Sequence, residues 1–217
     1  MPDVWFIRHG ESRSNAGEVA VDRGSTLLTD KGQEQARNVS LKITTRPDLI
    51  VVTSYIRTHQ TAQPLRERYP DVPREIWNLH EFSALSEDNY INRTWTQRTP
   101  MMRALWERND PEYVDGAGAE SFAAMTGRIS TALTRLRVRP EKFIVVFAHG
   151  YIIQTTRLML GKPELSTKAL MKSIPHYMEH SPIENCSITR VEMDAAGVRI
   201  HEEDFKNLET GHAFEGD

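Results

Sequence analysis

Apolar and polar residues follow two different periods along this chain. Residues 4–7 (Val-Trp-Phe-Ile) form an unbroken apolar run rich in β-forming side chains, the pattern of a strand buried on both faces. Similar runs return at 49–53 and 142–150, and 74–81 is a further strand candidate. Between them the period becomes helical. Over 28–43, Ala36, Val39 and Ile43 recur at helical spacing; Thr29 or Asp30 is placed to cap the first turn, with Gln33 where a capping-box partner would stand. Residues 57–69 read as a helix that Pro64 kinks or divides. In 120–138, Phe122, Met125, Ile129, Leu133 and Leu136 make one apolar stripe, and 151–160 forms a helix closed by Gly161. Residues 186–204 alternate and turn at Ala195-Ala196-Gly197 as an edge hairpin does, and the tail after about Lys206 is polar and loosely held.

Residues 82–119 keep neither period, apart from a helical piece over 101–108. Strands alternating with helices predict an α/β fold with three α/β/α layers around a mostly parallel sheet. A chain of 217 residues suits one domain spanning 1–217, with a cap-like insertion at about 82–119.

Composition narrows the function. A net charge of -3 argues against a nucleic-acid partner, and no apolar stretch approaches bilayer-spanning length. No signal peptide fits before the first strand, and the single Cys186 allows no internal disulfide or cysteine metal cluster. A soluble cytoplasmic protein is expected. Edge strands and helices offer surfaces for a homodimer but define no seam. The cations are unusual in kind: 20 are arginine and 7 lysine. Arginine's planar fork matches phosphate or carboxylate.

In a parallel sheet, ligands gather at the carboxyl ends of the strands. Those ends carry Arg8 and His9 after the first strand, Arg57 after the second, Glu81 after the third, and His149 and Gly150 after the fourth. Two guanidinium groups with helix N-terminal amides make a site for a dianion such as phosphate. Gly10 and Gly150 are expected to turn the chain sharply and bring backbone N–H groups to the ligand. A neutral imidazole can accept a phosphoryl group, a second imidazole, if protonated, can neutralise charge on the equatorial oxygens, and a buried carboxylic acid can protonate the leaving alkoxide. The scheme requires no metal and no cofactor.

Arg-His-Gly-Glu-Ser at 8–12 followed by Asn15, Leu-Thr-Asp-Lys-Gly-Gln-Glu-Gln-Ala at 28–36, the stretch 53–62, Leu79-His80-Glu81 and Phe147-Ala148-His149-Gly150 occur in one order. Together they resemble the histidine phosphatase superfamily, with its phosphoglycerate-mutase-like fold. The resemblance implies that His9 is the phosphorylated nucleophile, that Arg8, Arg57 and His149 hold the phosphate, and that Glu81 is the proton donor. Ser12 and Asn15 are implied as further phosphate or substrate contacts. Thr53-Ser54 stands where the family has Ser-Pro, and Thr58 where Ala is common.

Glu87 and Glu120 are alternatives to Glu81. Glu11 reads as a loop partner. His176 and His180, four apart, read as surface residues. His59 and His80 are expected on other faces. Trp77, Tyr90, Trp95, Met101, Met102 and Trp106 are candidates for core or for a substrate pocket.

Relative to the family's cofactor-dependent mutases, residues 81–85 are not Glu-Arg-His-Tyr-Gly, there is no Arg-Arg pair, and Tyr151 stands where those enzymes have Asn. A metal-independent phosphomonoesterase acting on a small phosphorylated metabolite is therefore expected, with a mutase or a non-catalytic phospho-ligand binder as alternatives. Residues 82–119 carry four arginines against six acidic residues, which argues against a second phosphate on the substrate, and the aromatics there and just before suit a substrate with an apolar portion.

Overall fold

A computed structural model of the chain describes residues 2–194 and 197–201. In chain order the elements are β1 (Asp3–Arg8), α1 (Asp30–Lys42), β2 (Leu49–Val52), α2 (Ile56–Arg68), β3 (Arg74–Ile76), α3 (Glu87–Tyr90), α4 (Trp95–Arg108), α5 (Phe122–Arg137), β4 (Phe143–Ala148), α6 (Gly150–Gly161), α7 (Thr167–His180), β5 (Ile188–Asp194) and β6 (Gly197–Ile200). The strands form one sheet in the order β3-β2-β4-β1-β5-β6. The first four are parallel, and β5 and β6 add an antiparallel margin.

Side-chain alternation sorts the core into two layers. Val4, Phe6, Leu49, Val51, Ile144 and Val146 pack with residues of α4, α5, α6 and α7. Ile7, Ile50, Val52, Val145 and Phe147 pack with residues of α1 and α2. The result is the expected three-layer α/β/α architecture. β1 and β4 pair from Asp3 opposite Phe143 to Arg8 opposite Ala148, so His9 and His149 leave neighbouring strands at the same level.

Local details differ from the sequence reading. Thr29 caps α1, accepting from the Gly32 N–H at 3.0 Å, so the third helical position is Gly32 rather than Gln33 and the expected box does not form. Pro64 lies inside α2, which runs past it undivided. The ladder of β3 stops at Ile76 because its partner β2 ends at Val52; Trp77 and Leu79 stay buried on the same alternation. α4 begins well before the expected 101–108 piece. A capping box between Thr94 and Gln97 starts it, and Pro100 is tolerated near its beginning. α7 was not expected, since Pro175 argues against a helix there, yet its apolar residues Leu170, Met171, Ile174 and Tyr177 bury one face.

The turn residues Ala195 and Ala196 and the tail after Lys206 lie outside the described residues, while β5 and β6 pair as a hairpin's strands do. Residues 82–119 are not detached from the sheet's core: Phe82, Leu85, Met102 and Leu105 join the same apolar cluster as Phe122 and Ile152. Among the described residues, no helix is long and apolar enough to cross a membrane.

Candidate active site

The carboxyl ends of the parallel strands open into a cavity of about 420 Å³ whose lining includes Arg8, His9, Arg57, Glu81 and Gly150. His149 sits against it, its ring centroid 5.2 Å from that of His9. The five side chains expected to carry the chemistry therefore meet at one place, although they come from positions spread over 8–149.

His9 is buried, and its Nδ1 lies 2.7 Å from the Gly10 carbonyl oxygen. A carbonyl only accepts, so Nδ1 carries the proton and the lone pair is on Nε2. Burial holds the His9 pKa well below the usual 6.5, and the charges of Arg57 and Arg8 push the same way. The ring is thus neutral, with a nucleophilic nitrogen available.

His149 is also held well below 6.5, first by burial and then by Arg57 and His9. Its Nε2 is 2.9 Å from Thr53 Oγ1, and its buried Nδ1 has no hydrogen-bond partner among the described residues. The two departures from the family pattern meet here: Thr58 Oγ1 accepts from the Thr53 N–H at 3.1 Å, lies 3.2 Å from Thr53 Oγ1, and donates to the Tyr55 carbonyl at 2.8 Å. Thr53 thereby holds the ring, and Thr58 holds Thr53.

The cations are held through backbone oxygens, not carboxylates. Arg8 Nη1 donates to the Ile183 carbonyl at 2.6 Å, while its buried Nε has no hydrogen-bond partner among the described residues. Arg57 Nη1 donates to the Arg23 carbonyl at 2.8 Å, and its guanidinium lies 4.7 Å from the Tyr55 ring centroid. A guanidinium tied at one nitrogen to a neutral acceptor is oriented yet keeps its charge for a ligand.

Glu81 lines the cavity, whereas Glu87 is exposed and Glu120 is ion-paired to Arg128 at 2.7 Å. Burial raises the Glu81 pKa above 4.5, against the opposing pull of the Phe82 N–H, Arg57 and Arg8. The Phe82 and Tyr151 N–H groups reach its two oxygens at 3.0 and 3.4 Å.

Ser12 and Asn15 line the same cavity and are joined, with the Ser12 N–H and Oγ 3.1 and 3.0 Å from Asn15 Oδ1. The glycines work differently from expectation. Neither Gly10 nor Gly150 has a positive φ. A Cβ on Gly10 would meet the Gly32 carbonyl oxygen at 2.4 Å, so that glycine permits close packing of the loop after β1 on α1. A Cβ on Gly150 would make only ordinary contacts, at 3.6 Å to Arg8 Nε and 3.8 Å to Glu81 Oε2.

Glu11 accepts from Thr29 Oγ1 at 2.9 Å and pairs with Lys31 at 2.7 Å, which makes it a loop partner as expected. Tyr90, Trp95 and Met102 line the cavity, while Trp77 is buried and Met101 and Trp106 pack against the core. Sequence reasoning missed Arg23, Arg98 and Asn185. All three line the cavity, and Asn185 Nδ2 donates to the His9 carbonyl at 2.8 Å. Arg98 belonged to the arginines counted in 82–119; Asn185 carried no signal. The net negative charge of 82–119 stays off the cavity, which takes Arg98 but none of that segment's carboxylates.

Residues 4–204 match the model of the histidine phosphatase superfamily (branch 1), and the chain belongs to that family. It is 28% identical over 204 residues to a protein of Serratia proteamaculans named "Probable phosphoglycerate mutase GpmB", covering 88% of this chain and 85% of the relative. It is 27% identical over 167 residues to the adenosylcobalamin/alpha-ribazole phosphatase of Salmonella typhi, covering 75% and 82%. In fold it is similar to the alpha-ribazole phosphatase of Shigella flexneri (TM-score 0.71, 19% identity, 92% and 94% covered). It is also similar to a mycobacterial glucosyl-3-phosphoglycerate phosphatase (TM-score 0.70, 23% identity, 93% and 98% covered).

Proposed function

We propose that this chain is a metal-independent phosphomonoesterase that works through a phosphohistidine on a small phosphorylated metabolite. The observation that carries the reading is the His9 tautomer: Nδ1 is committed to the Gly10 carbonyl, leaving Nε2 as the nucleophile beside two arginines. In the first step, Nε2 bonds to phosphorus and the ester P–O bond breaks. Arg8 and Arg57 stabilise the charge on the equatorial oxygens, neutral His149 offers a hydrogen bond, and Glu81, whose pKa burial raises, gives its proton to the leaving oxygen. In the second step, Glu81 takes a proton from water, whose oxygen bonds to phosphorus as the N–P bond breaks.

Ser12, Asn15 and the Gly150 N–H at the start of α6 contribute further contacts to the phosphate or substrate, and 82–119 serves as a cap that selects the substrate. Hydrolysis is preferred to phosphoryl return because 81–85 and Tyr151 depart from the mutase pattern, and the alpha-ribazole relatives are named as phosphatases. The test is turnover of 4-nitrophenyl phosphate in EDTA, with an acid-labile, base-stable label on the protein after brief exposure to ³²P-labelled ester. Wild type is expected to show both and His9→Ala neither. A coupled assay with 3-phosphoglycerate and its bisphosphate primer reads the mutase alternative.

A further inference from the structure

Four arginines line the cavity, and phosphoryl transfer uses two of them. The other two, Arg23 and Arg98, flank one ring: their guanidinium carbons lie 4.1 and 4.2 Å from the centroid of Tyr90. Each is built in. Arg23 Nη2 donates to the Leu85 carbonyl, and its loop is fixed by Asp22 Oδ1, which accepts from the N–H groups of Gly24 and Ser25 at 2.6 and 2.7 Å. Arg98 is only 4% exposed; its Nε donates to the Thr94 carbonyl at 3.3 Å and its Nη2 to Ser14 Oγ at 3.0 Å.

Among the described residues, neither arginine is in an ion pair. Glu87, exposed, acts on Arg23 only at a distance. Glu81 is the single carboxylate lining the cavity. Holding the Arg98 guanidinium away from water, with the half-buried Arg23 close by and no carboxylate, is costly, and contact with one aromatic ring offsets only part of that cost. The arrangement is suited to an anion that arrives with the ligand. Phe82, Leu85 and Met102 line the same cavity and supply an apolar surface.

We propose that Arg23 and Arg98, braced on Tyr90, form a second anion subsite, and that the substrate is a phosphomonoester whose apolar body carries a second anionic group. This rests on the phosphatase reading for the ester phosphate. It revises the expectation from charge balance in 82–119, because that segment's acidic side chains do not line the cavity. The shared chemistry is negative charge, from either a carboxylate or a second phosphate.

The experiment titrates non-hydrolysable phosphonates into the full chain by calorimetry, so that it reads binding whether or not esters are turned over. The probes are 4-carboxyphenylphosphonate, its uncharged match 4-carbamoylphenylphosphonate, and 1,4-phenylenebisphosphonate. Wild type is expected to bind an anionic probe about tenfold or more tightly than the carbamoyl probe. Which of the two anionic probes binds better identifies the source. Arg23→Met and Arg98→Met are expected to abolish the preference, and Arg98→Lys, which keeps the charge, to retain part of it. Equal binding of all three probes by wild type overturns the subsite, as does a preference unchanged in both folded Met variants. Absence of aryl phosphate hydrolysis overturns the phosphatase reading instead, and the titration still decides the subsite.

Discussion

The two sides of the cavity are made differently. Its floor is delivered by strand ends: His9 and His149 follow paired residues of β1 and β4, and Arg57 opens α2 just after β2. Those side chains are buried and fixed by backbone carbonyls or hydroxyls. Its wall comes from 82–119 and the loop before α1, where Tyr90 ends a four-residue helix and Trp95 is 48% exposed. A floor set by sheet register cannot shift without breaking the core, so it suits chemistry common to every ester. A wall on short elements tolerates change, which suits the choice among esters.

This contrast makes floor substitutions lower turnover of all esters together and wall substitutions alter the ratio between esters. The largest expected effect is His9→Ala, a loss of at least about 10⁴-fold in kcat on 4-nitrophenyl phosphate by steady-state assay. Next is Arg57→Met, expected to cost about 10²–10³-fold in kcat/KM on every ester tested. Equal sensitivity of the ester ratio to Arg57→Met and Trp95→Ala would erase the distinction.

Glu81→Gln is expected to lose about 10²-fold with an alkyl phosphate and less with 4-nitrophenyl phosphate, whose leaving group needs little proton assistance. With Glu81 as the proposed proton donor and its pKa raised, kcat/KM should fall as pH rises through that raised value. The fall from His9 protonation should lie well below pH 6.5. The Gln variant should lose the alkaline fall and keep the acidic one.

Stability should follow the floor too. His9 and His149 bind protons less readily folded than unfolded, so unfolding is favoured as pH drops below about 6.5 and increasingly so down to their folded values. Denaturant melts from pH 8 to 5 check this. Thr58→Ala removes the acceptor of the buried Thr53 N–H and is expected to cost about 1–3 kcal/mol, whereas Trp95→Ala should stay within about 0.5 kcal/mol.

The floor was also the more legible side in the sequence. Apolar runs that end in Arg-His-Gly and Ala-His-Gly already imply adjacent strand ends, because buried parallel strands admit few arrangements. α7 was not legible: Pro175 reads as a breaker, and only tertiary burial of Met171, Ile174 and Tyr177 outweighs it. Arg23 and Arg98 were visible as residues but not as a pair, since only the packing of Tyr90 brings together positions 75 apart. Gly10 was noticed for its flexibility, while its actual constraint is the carbonyl of Gly32.

The order β2-β4-β1 places the last parallel strand of the chain in the middle of the sheet. Until β4 is inserted, β1 and β2 have no shared neighbour, and His149 and Gly150 have no place beside Arg8 and Arg57. The pairing of β1 with β4 joins residues about 140 apart in the chain, so the two imidazoles are brought together by one long-range contact that local structure alone cannot form.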